Sequence, residues 1–71
     1  MNASHTTIYT LGKDRNDRDE WQPVAYVPTT GRPVAVLSTW LDEAEPPPGT
    51  YRAEGPDRRA VILGWDGEAA A

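Results

Sequence analysis

The sequence predicts a strand-dominated α+β fold: a small antiparallel sheet or partly open barrel of four to five strands with one short helix, in the order β-β-β-α-β-β. Three observations carry this. Short runs rich in Val, Ile, Thr, Tyr and Trp recur along the chain, each bounded by Gly, Pro or Asp. One stretch alone has the composition of a helix, and Pro46, Pro47 and Pro48 stop it. The chain has 71 residues and no cysteine, so it is read as a single domain, 1–71, stabilised by packing or by a partner rather than by disulfides.

The first strand is "TTIYTL", residues 6–11, with Ile8 on the face of Thr6 and Thr10, and Tyr9 on that of Leu11. Residues 12–20, "GKDRNDRDE", contain no apolar side chain and read as a polar loop or hairpin tip. "WQPVAYV", residues 21–27, is a second strand, and Pro23, which cannot donate to a ladder, puts it at an edge or a strand start. After "PTTGRP", "VAVLS" at 34–38 reads as a third strand, making 21–38 a hairpin.

The third strand has a competing reading, because Val34, Leu37, Leu41 and Ala44 also fit helical spacing and Pro33 suits a first helical turn. The β-branched Val34 and Val36 favour the strand. A short helix then begins with Thr39 and Asp42 as a capping box and carries Asp42, Glu43 and Glu45 in its first turns, at the positive end of the dipole. "GTYRAE" and "RRAVILGW" are two further strands joined by "GPDR", a type I turn with Pro56 and Asp57 at its centre. In the last strand Val61, Leu63 and Trp65 share one face, and Ala60, Ile62 and Gly64 the other. With both faces apolar, the strand is expected to be central. Residues 66–71 read as a frayed tail. Trp21, Val36, Leu41, Val61, Leu63 and Trp65 are the core candidates.

The formal charge is −4, and it lies entirely in the second half. Residues 1–35 hold four acids and four bases; residues 36–71 hold seven acids and three bases. Nucleic-acid binding depends on Lys and Arg replacing counterions at phosphates, so an acidic chain is not expected to bind nucleic acid and suits a protein partner with a basic surface. No run of about 18 apolar residues occurs and the N-terminal stretch lacks the pattern of a signal peptide, so a soluble, cytoplasmic protein without a membrane partner is expected.

Residues that could carry chemistry are few. His5 is the one histidine and has no cysteine to share a zinc shell with, so it is read as an exposed terminal residue. "DRNDRDE" spaces Asp14, Asn16 and Arg18 as a calcium loop would, but Arg18 stands where an oxygen ligand is needed and Asp19 where the loop needs glycine. No phosphate-binding glycine pattern is present. The expectation is therefore no enzyme activity, no cofactor and no metal site.

The run "GRPVAVL", residues 31–37, resembles the strand segment of Phd/YefM-type antitoxins, where a Gly-basic-Pro-Val-Ala-Val-Leu run enters a short acidic helix. The likeness spans seven residues; "TTIYTLGKDRNDRDEW" stands where that family has its helical DNA-binding portion.

The function expected from these readings is a non-enzymatic protein-binding module. Asp42, Glu43, Glu45, Glu54 and Asp57 would form an acidic face, with Trp40 and Tyr51 as aromatic anchors. A phage or mobile-element inhibitor that occupies a basic, nucleic-acid-binding surface of a host complex would have this character. The alternatives are a small dimeric DNA-associated regulator of the antitoxin type, using Arg15, Arg18, Arg52, Arg58 and Arg59 on phosphates, and a structural subunit of a larger assembly. A homodimer is one expected route to added burial for so short a chain.

Overall fold

In the computed structural model, which describes residues 4–67, the chain forms β1 (His5–Lys13), β2 (Asp19–Pro28), α1 (Pro33–Ala44), β3 (Gly49–Glu54) and β4 (Ala60–Trp65). The strands make an open antiparallel sheet in the order β2-β1-β3-β4, and α1 packs on one face. This is the strand-dominated α+β class that the sequence predicts, with the element order β-β-α-β-β.

The hairpin expected over 21–38 does not exist; β1 and β2 form the first hairpin instead, paired from His5↔Pro28 to Lys13↔Asp19. Residues 12–20 are correspondingly not all loop. Gly12 pairs with Glu20 and Lys13 with Asp19, so only 14–18 leave the ladder, and polar side chains suffice on a ribbon with little to bury. Pro23 fits the edge position expected of it: β2 is an outer strand, and the register shifts between Ile8↔Ala25 and Tyr9↔Pro23, leaving Val24 as a bulge.

Both hairpin turns are built alike. The Asp17 N–H donates to the Asp14 carbonyl at 3.1 Å and the Asp14 N–H to Arg18 at 2.9 Å, with Asp17 at φ 61°. In the second, Arg58 donates to Gly55 at 3.0 Å and Gly55 to Arg59 at 2.8 Å, with Arg58 at φ 68°. A type I turn followed by a left-handed residue is a standard three-residue hairpin closure. The turn expected at Gly55-Pro56-Asp57-Arg58 is therefore present.

The third strand expected at 34–38 is instead the first half of α1. Val36 and Leu37, adjacent in sequence, are both buried with Leu41 against the same sheet face. A strand would send neighbours to opposite sides, whereas a helix collects positions 36, 37, 40 and 41 into one stripe. Pro33 opens the helix and Arg32, without a side-chain hydrogen bond, is its N-cap. Thr39 is thus mid-helix, with no capping box. Asp42, Glu43 and Glu45 stand at the C-terminal end, not in the first turn, and the likeness of "GRPVAVL" to a strand segment does not extend to its conformation.

α1 ends as Pro46 requires, with Glu45 in the left-handed region (φ 46°, ψ 56°) and its N–H bonded to the Leu41 carbonyl at 3.0 Å. Glycine is the usual residue in that conformation, and a carboxylate meets the negative end of the helix dipole there. Glu45→Gly should stabilise the fold by about 1 kcal/mol, read as a rise in melting temperature.

β4 is an outer strand, not the central one expected. Its two apolar faces have different causes: Val61, Leu63 and Trp65 lean on the core beneath α1, while Ile62 is 56% exposed on the other side. The core consists of Ile8, Val36, Leu37, Leu41, Tyr51 and Ala53, flanked by Ala25, Val27, Trp40, Val61, Leu63 and Trp65. Trp21, a core candidate by composition, faces Leu11 on the sheet side away from α1 and is half-buried there. The part of the expected frayed tail from residue 68 on lies outside the described residues.

Candidate protein-docking surfaces

Two surfaces arise from this arrangement, one on each side of the sheet. α1 lies across β3 and β4, reaches β1 and leaves β2 uncovered. The step between helix and uncovered strand is a groove of about 300 Å³ lined by Val27, Pro28, Thr30, Val36, Thr39, Trp40 and Glu43. Trp40 is half-buried, its ring 5.7 Å from that of Tyr51.

Asp42, Glu43 and Glu45 are exposed around the same end of α1, with no basic residue in the last turn. Helix geometry forces them there: the segment begins at Pro33, so the acids that follow Leu41 fall where partial negative charge already accumulates. The connection that follows is held by two aromatic donors. Tyr51 Oη donates to the Pro47 carbonyl at 2.6 Å and Trp65 Nε1 to the Pro46 carbonyl at 2.8 Å. These bonds fix how the helix end sits over β3 and β4.

The five carboxylates expected to form one face do not come together. Asp42, Glu43 and Glu45 do. Glu54 belongs to the sheet face opposite α1, where its carboxylate meets Arg52 at 2.8 Å. Asp57 is in the β3–β4 turn, accepts from the Arg59 N–H at 3.1 Å and pairs with the Arg59 guanidinium at 3.3 Å. Gly55 of that turn approaches Pro33 at the start of α1, roughly 18 Å of helix away from Glu45. Tyr51, expected as an anchor, is 4% exposed and serves the core, while Trp40 keeps part of its ring at the groove.

The arginines expected on phosphates are dispersed as well. Arg15 and Arg18 are at the first hairpin tip, Arg58 and Arg59 at the second, and Arg52 on the open sheet face. In the first tip Asp14 Oδ1 accepts from the N–H groups of Asn16 and Arg18, so this oxygen closes the turn. His5 is exposed and its ring stands edge-on to Tyr26 at 6.4 Å. No helix among the described residues is long and apolar enough to cross a membrane.

The open sheet face was not anticipated as a surface. It carries Thr7, Tyr9 and Leu11 from β1, Trp21, Pro23 and Tyr26 from β2, Arg52 and Glu54 from β3, and Ala60, Ile62 and Gly64 from β4. The Arg52 guanidinium lies 5.3 Å from the Tyr9 ring centre and 6.0 Å from that of Trp21. The signal was available in the parity of β1, which puts Tyr9 and Leu11 opposite the buried Thr6 and Ile8.

The molecule is thus a two-layer α+β protein, one helix on an open four-stranded sheet, with a groove on one side and an aromatic face on the other. No protein-family model, curated protein or solved structure matches this chain.

Proposed function

We propose that this protein is a non-enzymatic binding module that takes a basic, amphipathic protein segment at the end of α1. Asp42, Glu43 and Glu45 face the partner's cations, and the groove beside Trp40 receives its apolar side chains. A protein groove that ordinarily holds nucleic acid offers that chemistry, and an acidic helix end would compete for it.

One observation carries the reading: three exposed carboxylates crowd the helix end where the dipole disfavours them, next to an apolar groove. Acids at that end weaken the helix, by about 0.3–1 kcal/mol each. Their placement therefore serves something other than folding. Opposite charge would speed encounter and set orientation, and Trp40 would supply the desolvated contact.

A helical Lys/Leu peptide titrated into the protein tests this. It should shift the amide resonances of residues 27–30 and 36–45, and the shifts should vanish at about 0.5 M salt, where the Debye length falls to a few ångströms. A Glu/Leu peptide of the same length should leave them unmoved. Equal response to both peptides would mean that charge at the helix end plays no part.

A further inference from the structure

The sheet face away from α1 bears a pattern that a second copy of the same face would satisfy. Its residues form rows across the strands. Thr7 pairs with Tyr26 and Glu54, and Glu54 with Ala60; Tyr9 pairs with Pro23 and Arg52, and Arg52 with Ile62. At the near end Trp21 pairs with Leu11 on β1–β2, and Thr50 with Gly64 on β3–β4. One outer strand, β2, therefore presents Tyr26, Pro23 and Trp21, and the opposite outer strand, β4, presents Ala60, Ile62 and Gly64. Bulk stands along one margin and small or aliphatic residues along the other.

We propose that this face is a homodimer interface in which two sheets pack face to face about a two-fold axis parallel to the strands. Such an axis lays β2 of each copy over β4 of the other and β1 over β3. Tyr26 then meets the partner's Ala60, Trp21 meets the partner's Gly64, and Tyr9 meets the partner's Arg52, so large groups fall on small ones and a ring on a guanidinium. Sheets packed this way interleave side chains from two inner faces, with some 30° between strand directions.

Charge permits this occupant. The salt bridges on this face, Arg52–Glu54 at 2.8 Å and Lys13–Asp19 at 2.6 Å, are internal and neutral as pairs. Two copies of a chain with net charge −4 can therefore meet here without apposing their excess carboxylates, three of which stand at the far end of α1. Size fits as well. Four strands about 4.8 Å apart and six to ten residues long give a flat area of roughly 500 Å², which side-chain relief enlarges toward the ~800 Å² per partner of a stable interface. Tyr26 at 73% exposure and Ile62 at 56% are the largest apolar groups to be covered.

Sedimentation equilibrium of the full chain at 1–200 µM, with Gly64→Lys as the probe variant, decides the matter. A Cβ at Gly64 meets nothing within 4 Å, so the substitution leaves the monomer's packing intact while adding bulk and an unpaired charge under the partner's Trp21. Wild type should sediment at twice the chain mass and melt at a temperature that rises with concentration. Gly64→Lys should be monomeric with an unchanged circular-dichroism spectrum, and Ser38→Lys on the exposed side of α1 should remain dimeric. Wild type monomeric at 200 µM, or a Gly64→Lys protein still dimeric, overturns the proposal. So does a monomeric wild type whose Tyr9, Trp21 and Tyr26 amides shift with single-stranded DNA, which would give the face to nucleic acid.

Discussion

Replacing Leu37 by alanine should lower the melting temperature by 10 °C or more and leave a large fraction of the chain unfolded at 37 °C. Leu37 is fully buried in one cluster with Ile8, Leu41, Tyr51 and Ala53, and with Leu41 it seats α1 on the sheet. Leucine-to-alanine changes at such sites cost about 2–5 kcal/mol, part transfer and part cavity. A domain of this length has roughly 4–10 kcal/mol in all, so the loss takes about a fifth of it at the least and all of it at the most. With four to eight degrees per kcal/mol for a domain this small, the expected shift is about 10–40 °C. Val34→Ala supplies the control. Val34 is 45% exposed on the outer side of the helix, and its truncation should change stability by no more than about 0.5 kcal/mol. Comparable losses for the two variants would contradict the helical register of α1.

Converting Asp42, Glu43 and Glu45 together to lysine should separate stability from binding, in opposite directions. Each reversal removes a carboxylate from the negative end of α1 and puts an ammonium there, so the triple variant should be more stable by roughly 1–3 kcal/mol at low salt. Its association with the Lys/Leu peptide should fall at least about tenfold, because like charges now meet at the groove mouth. Thermal melts and peptide titrations on one preparation give both quantities. A variant that gains stability and still binds as wild type would leave the acidic helix end without a role in recognition. One that loses stability would show that the carboxylates have structural partners.

The two surfaces make separable demands on the molecule. The α1 groove and the aromatic sheet face lie on opposite sides of a body whose smallest extent is 15 Å, so a dimer formed through the sheets would leave both helix ends free and pointing outward. Partner binding and self-association can then be broken independently, the first at Asp42, Glu43 and Glu45 and the second at Gly64.

Much of this architecture was legible in the residues themselves. The alternation in "TTIYTL", the Pro56-Asp57 turn, the edge position implied by Pro23 and the stop at Pro46 each depend on neighbours within a few positions. All four were legible in the sequence alone. So were the two faces of β4, since a strand's period of two requires no knowledge of what lies beside it. Charge imbalance between the two halves was equally a property of composition.

Tertiary structure alone decided the rest. Residues 34–38 satisfy a strand by propensity and a helix by spacing; the choice fell to the helix because only there do Val36 and Leu37 both reach the core. That choice carried Asp42, Glu43 and Glu45 from the start of the helix to its end, reversing the sign of their interaction with the dipole. Sheet order was likewise beyond local reading. An apolar outer face on β4 looks the same in sequence whether another element covers it or not, and here it is left open beside Tyr9, Trp21 and Arg52. Local chemistry determined which elements could form, and long-range burial determined which side of each one meets the solvent, because exposure is a property of the neighbours and not of the residue.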